Sequence, residues 1–174
     1  MQFHSNEELH FSWILQELKD NGFVNSFTRD VPPFVLSDKL KESYEEIKIM
    51  KTKTKVIQKE RIILHNHIYT PDFLVEWATD KPGFNNFFSK NLSSYIEIKP
   101  LWDQNNMTRL FTINQKWVYS KYGILVQKVI PEQFMQKIFT PQRFLITDKG
   151  KQLRKIKWKT RTLEEYLNTK KNNI

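Results

Sequence analysis

Tyr69-Thr70-Pro71-Asp72-Phe73 and, a loop later, Tyr95-Ile96-Glu97-Ile98-Lys99-Pro100 are the two segments on which the reading of this chain turns. Side chains two residues apart in a strand share a face, so Glu97 and Lys99 project together while Ile96 and Ile98 enter the core on the other side. Pro100 has no N–H and ends the ladder, which makes Ser94 to Lys99 a short strand. If Phe73-Leu74-Val75-Glu76-Trp77 runs beside it, Asp72 joins the same face, and two carboxylates and an ammonium meet. Hard oxygen donors of this kind suit Mg²⁺ or Mn²⁺, which keep several waters and bridge to phosphate. The plain alternatives are that Asp72 is a turn residue after proline and that Glu97 and Lys99 form a solvated cross-strand pair.

Working outward, Ser5-Asn6-Glu7-Glu8 has the form of a capping box. Phe11, Ile14, Leu15 and Leu18 then recur at helical spacing before Asn21-Gly22, which predicts a first helix. Glu8 falls on the inward stripe of that helix, so an acid faces the core; its capping role explains it equally well, and Glu7 is the substitute. Phe23 to Lys41 reads as extended, interrupted at Pro32-Pro33. A meander of strands is predicted between about residues 47 and 78, and a loop from Asp80 to Ser94 held down by Phe84, Phe87 and Phe88.

Asn105 to Tyr122 reads as a second helix, with Met107, Leu110, Phe111, Asn114 and Val118 on one stripe and Gly123 as its stop. Ile124 to Ile130 reads as a buried strand. Phe144 to Thr147, Asp148-Lys149-Gly150 and Leu153 to Lys159 read as a β-hairpin, and Thr162-x-x-Glu165 as the cap of a short last helix ending near Leu167. The order helix, strands, helix, strand is an α/β arrangement with a mixed central sheet.

At 174 residues one globular domain, 1–174, is expected. A hydrophobic share of 39% and an aromatic share of 14% exclude a disordered chain. With no cysteine there is no disulfide, thiolate zinc site or Cys nucleophile. No apolar run approaches the ~20 residues that cross a bilayer, and Met1 to Phe11 has no basic segment followed by an apolar core, so no membrane and a cytoplasmic location are expected. Lys and Arg number 28 against 19 Asp and Glu, and the net charge of +9 favours a polyanionic partner, nucleic acid before acidic membrane.

Pro71-Asp72 with Glu97-Ile98-Lys99 resembles the PD-(D/E)xK nuclease superfamily. Within it the chain looks like phage Holliday-junction-resolving endonucleases, and Thr70-Pro71-Asp72-Phe73 is similar to end-cleaving endonuclease subunits of some transposons. The resemblance implies a restriction-endonuclease-like core over about residues 5–130, with a mixed sheet flanked by helices; the basic hairpin and helix at about 141–168 lie outside it. It implies a Mg²⁺-dependent (or Mn²⁺-dependent) DNA endonuclease encoded by a phage or mobile element. Asp72, Glu97 and the Ile98 carbonyl would hold the metal, with Glu8 a further ligand, and Lys99 would orient or deprotonate the attacking water. A homodimer follows from the same resemblance. So does a polar contribution from the second helix, for which Lys116 and Gln115 are placed.

Arg143, Lys149, Lys151, Arg154, Lys155, Lys157, Lys159 and Arg161 stand against one acid, Asp148, and carry most of the net charge. Lys155, Lys157 and Lys159 alternate with Ile156 and Trp158, so a strand there presents a row of ammonium groups at a spacing that can follow phosphates. Lysines also protect free sheet edges. Arg109 and Lys116 share one face of the second helix and complete the predicted DNA contacts. His65 and His67, with His10, offer a weaker zinc reading that lacks a clear third ligand. The rival functions are a non-catalytic DNA-binding or scaffold protein of the same fold, a small restriction-type enzyme and an RNA-directed nuclease.

Overall fold

Ser5 caps the first helix as its spacing predicts: the Ser5 hydroxyl accepts from Glu8 N at 3.1 Å, and α1 runs Asn6–Asp20. The computed structural model describes residues 3–78, 92–147, 149–150 and 152–171. The predicted loop's Phe84, Phe87 and Phe88, the turn residue Asp148, and Lys151 lie outside the described residues. In chain order the elements after α1 are β1 (Val24–Thr28), β2 (Phe34–Ser37), β3 (Leu40–Ile49), β4 (Thr54–Leu64), β5 (His67–Tyr69), β6 (Phe73–Trp77) and β7 (Ser93–Ile98). A 3₁₀ turn at Leu101–Asp103 leads to α2 (Arg109–Tyr122), β8 (Gln127–Val129) and α3 (Pro131–Lys137). A second 3₁₀ turn, Gln142–Leu145, precedes α4 (Leu163–Lys171).

Contacts divide the chain into two compact units, one formed by Met1–Val31 with Pro71–Ile174 and the other by Pro32–Thr70, where sequence alone predicts one. The first is α/β. Its four-stranded sheet has the order β1-β6-β7-β8, antiparallel except for the parallel pair β7 and β8. Helix α1 packs against β1, β7 and α3, and completely buries Phe11, Ile14, Leu15 and Leu18. Burial of each contributes about 1.5–3 kcal/mol, and Phe11 meets Phe73 edge-on at 5.4 Å. Phe73, Val75, Ile96, Ile98 and Val129 supply the sheet side of this core. Trp77, at the end of β6, is buried and donates its indole N–H to Ser94 Oγ at 2.8 Å.

The Pro32–Thr70 unit enters the chain between the first two strands of that sheet. It consists of two antiparallel ribbons, β2 with β5 and β3 with β4. The predicted meander is thus two separate pairings with β6 in another sheet. The β3–β4 ribbon is exposed along nearly its whole length and is laced by Lys41–Glu60, Lys59–Glu46 and Arg61–Glu42 ion pairs. Solvated pairs of this kind contribute little to stability.

Several elements depart from expectation for local reasons. Helix α2 starts at Arg109 rather than Asn105, because Asn106 takes a left-handed φ of 57° and Asp103 Oδ1 accepts from Thr108 N at 2.7 Å. Met107 therefore precedes the helix, and Leu110 lies about 100° round it from Phe111. Both are exposed, while Phe111, Asn114 and Val118 are buried. Gly123 ends α2 at φ 68°, as predicted. Strand β8 is limited to the three residues that pair with Ile96–Ile98 of β7, and Pro131 then opens α3, which the sequence reading omits.

The C-terminal hairpin is minimal. Ile146 bridges Leu153, Thr147 N donates to Gln152 O at 2.8 Å and Arg154 N to Leu145 O at 2.9 Å, with Gly150 at φ 67° in the turn. Beyond it Lys155 to Lys159 is not a strand. The alternation persists because Ile156 and Trp158 pack on the core while Lys155, Lys157 and Lys159 are exposed, and no partner strand is required for that. Helix α4 carries the predicted capping box, with Thr162 N donating to Glu165 Oε2 at 2.8 Å, and runs past Leu167 to Lys171. No helix among the described residues is long and apolar enough to cross a membrane.

Candidate active site

The register decides where the carboxylates meet. Phe73 pairs with Ile96 in the antiparallel ladder of β6 and β7, so Asp72, one residue before β6, lies across from Glu97. Asp72 Oδ2 accepts from Ile98 N at 2.7 Å, which anchors the carboxylate to the end of β7. Lys99, two residues from Glu97 on the same face, donates to Glu97 Oε1 at 2.8 Å. Its own N–H donates to Val129 O at 2.9 Å, so the parallel ladder continues one step past β7. The Lys99 ammonium also stands 5.7 Å from the centroid of the Phe111 ring, and α2 thus buttresses it.

Glu8 is both a cap and a member of the site. It is 6% exposed, its oxygens accept at 3.3 Å from His4 N and Ser5 Oγ, and the Arg29 guanidinium donates to Oε2 at 2.5 Å. Its charge also reaches Asp72. Burial, then the neighbouring Glu97 charge, push the Asp72 carboxyl from its ordinary 3.8 up to about 7; the Ile98 N–H and the Lys99 ammonium pull the other way, and Glu8 adds to the rise. Glu8, Asp72, Glu97, Ile98 and Lys99 line one cleft of ≈ 480 Å³, whose wall includes Trp102 and Thr108; Glu7 lines it too.

This donor set fits a hard divalent cation. Burial first, and then the Glu97 charge across the ladder, drive the Asp72 carboxyl toward its proton, and positive charge between the two carboxylates would relieve that cost. Mg²⁺ is commonly held by one or two carboxylates plus waters and substrate phosphate, and here Asp72, Glu97 and the Ile98 carbonyl would be the protein ligands. Among the described residues there is no group of three or more His, Asp or Glu spaced to hold a metal without such help, and Glu8 is engaged by Arg29. His65 lies beyond the end of β4, so it does not share a strand with His67, and the His10 ring lies tilted against Trp13 at 5.2 Å and edge-on to Phe144 at 4.8 Å.

Two positioning residues have no signature in the sequence. Arg29, just after β1, meets Glu8 only through the fold. Lys128, paired with Glu97 across β7 and β8, donates to Asp103 O at 2.7 Å, Gln104 O at 3.2 Å and Asn106 Oδ1 at 2.6 Å, and so ties down the loop leading into α2. Asp103 beneath that loop is fully buried; burial works to raise its carboxyl, but the Thr108 hydrogen bonds, aided by Lys128 and Lys99, hold it below the ordinary range.

The predicted basic contacts divide by what they touch. Lys155 and Lys157 are exposed and line a groove next to the cleft; Lys159 and Lys149 are exposed elsewhere. Arg143 and Arg154 are held over Trp13 at 4.9 and 5.7 Å, and Arg154 over Phe144 at 5.3 Å. Arg161 donates to Ile138 O at 2.8 Å and Lys137 O at 2.5 Å, tethering the end of α3. Arg109 and Lys116 are exposed on α2 and do not line the cleft, and Gln115 spends its amide on Val126 O at 2.6 Å.

No family model matches this chain, and no curated protein or solved structure matches it.

Proposed function

We propose that the chain is a metal-dependent DNA endonuclease that hydrolyses a phosphodiester bond in the Asp72–Glu97–Lys99 cleft. The observation that carries this reading is the juxtaposition of Asp72 and Glu97 across the β6–β7 ladder with Lys99 on the same face. Its support is the combination of that arrangement with the Pro71-Asp72 and Glu97-Ile98-Lys99 motif and the element order α1, β1, β6, β7, α2, β8 implied by the resemblance.

A divalent cation held by Asp72, Glu97 and the Ile98 carbonyl would polarise the phosphoryl oxygen and lower the pKa of its bound water. The chain's own residues do the rest. Lys99, fixed by Glu97 and Phe111, places a positive charge where negative charge develops on the phosphorus oxygens. Burial of the carboxylates keeps the field strong and the geometry fixed. Glu8 and Arg29 hold the N-terminus of α1 at the edge of the cleft. The basic segment from Arg143 to Lys159 supplies the sequence-independent attraction for phosphate.

Asp72→Ala and Glu97→Ala test the reading when cleavage and binding are scored separately. Both should abolish Mg²⁺-dependent cutting while retaining metal-free DNA binding with an intact thermal transition. Cleavage that survives both substitutions removes the proposed site. Binding without turnover in the wild type, in Mg²⁺ and in Mn²⁺, makes the chain a non-catalytic DNA-binding protein.

A further inference from the structure

A second groove, ≈ 620 Å³ in volume, adjoins the cleft and shares Lys99 and Glu7 with it. Its chemistry is different. The part-buried Ile156 and Trp158 and the exposed Leu153 contribute apolar surface, Arg154, Lys155 and Lys157 contribute positive charge, and Glu7 and Glu132 contribute negative charge. Phe144 and Trp158 are stacked, with ring centroids 6.0 Å apart and planes 24° apart, and the His10 ring meets Phe144 edge-on. Arg154 is placed by its contacts with Phe144 and Trp13 and by its Nε donating to Ile146 O at 2.9 Å. The segment that brings Lys155 and Lys157 here belongs to no sheet, so its alternation serves this surface rather than a ladder.

Uninterrupted duplex offers such a groove only phosphate and sugar, and would leave the apolar surface unused. An unpaired nucleotide offers both a flat apolar base and an anionic phosphate, the two chemistries that line the groove side by side. The volume is that of a small-ligand site and admits one or two nucleotides, not a double helix. We propose that this groove receives an unpaired DNA segment continuous with the scissile phosphate, so that the substrate is DNA with a single-stranded branch, flap or frayed end. The proposal rests on the nuclease reading for the direction in which the strand runs.

The test is anisotropy in EDTA with three labelled DNAs of matched sequence: a blunt duplex, the same duplex with a short single-stranded overhang, and the single strand. The overhang duplex should bind about tenfold more tightly than the blunt one, the value of stacking one base. A 2-aminopurine in the overhang should lose fluorescence on binding, as a base packed against the part-buried Trp158 does. Leu153→Asp, at a groove-wall residue that is 80% exposed, should bring the preference toward one without touching the core. Equal affinity for blunt and overhang DNA, unchanged 2-aminopurine emission, or a preference that Leu153→Asp leaves intact each overturns the proposal. Metal-dependent cutting of plain duplex with no overhang preference would overturn the groove and leave the nuclease standing; overhang preference with no cutting in any metal would do the reverse.

Discussion

Asp72 should make the folded protein lose stability as pH rises from about 4 to about 7. Its carboxyl is held at about 7 against an ordinary 3.8, first by burial and then by Glu97. The folded state therefore keeps a proton that the unfolded chain has released, and between about pH 4 and pH 7 each pH unit costs about 1.36 kcal/mol. The full shift corresponds to about 4 kcal/mol, and with relaxation around a half-buried group about 2–4 kcal/mol is expected at pH 8. Asp72→Asn removes the charge and retains an acceptor for Ile98 N. Urea denaturation of both proteins at pH 4 and pH 8 measures the effect. The variant should match the wild type at pH 4 and exceed it by about 2–4 kcal/mol at pH 8, and millimolar Mg²⁺ should narrow the gap by stabilising the wild type alone. Equal stability at both pH values, or a variant weaker at pH 8, would refute the electrostatic reasoning.

Other outcomes follow from the same contacts. Arg29→Met should cost about 3 kcal/mol in urea denaturation, because it leaves the buried Glu8 carboxylate without its guanidinium. Replacing Lys155, Lys157 and Lys159 together by Ala should weaken binding to all DNA sequences and flatten the slope of log affinity against log salt by up to about 3, checked by a salt titration. Arg161→Ala should leave that slope unchanged but lower the melting temperature by several degrees, since its donors hold carbonyls at the end of α3.

What the sequence reveals and what it hides follow physical range. The Ser5 and Thr162 capping boxes, the stop at Gly123 and the two-residue alternation of Glu97 and Lys99 are all settled within a few residues, and they are legible. Asp72 is legible as a partner of Glu97 only through the short motif around each, since the Phe73–Ile96 register that joins them spans a loop. The Pro32–Thr70 unit is hidden because strands look alike whichever sheet they join: β5 and β6 are adjacent in sequence yet pair in different sheets. Arg29 and Lys128 read as ordinary surface cations until the fold sets Glu8 beside one and the loop carbonyls of Asp103 and Gln104 beside the other. Lys155 to Lys159 misleads in the opposite sense: a period of two appears wherever Ile156 and Trp158 anchor an extended segment, with or without a ladder. Helix α3 is seven residues long, too short for helical periodicity to separate it from the apolar run before it.

The most direct test of the central claim is cleavage of a labelled four-way junction beside its matched linear duplex, in Mg²⁺, Mn²⁺ and EDTA. Metal-dependent cutting by the wild type, silent in EDTA and absent from Asp72→Ala, is the predicted result. Intact DNA in both metals, or cutting that persists in EDTA or in Asp72→Ala, would contradict it.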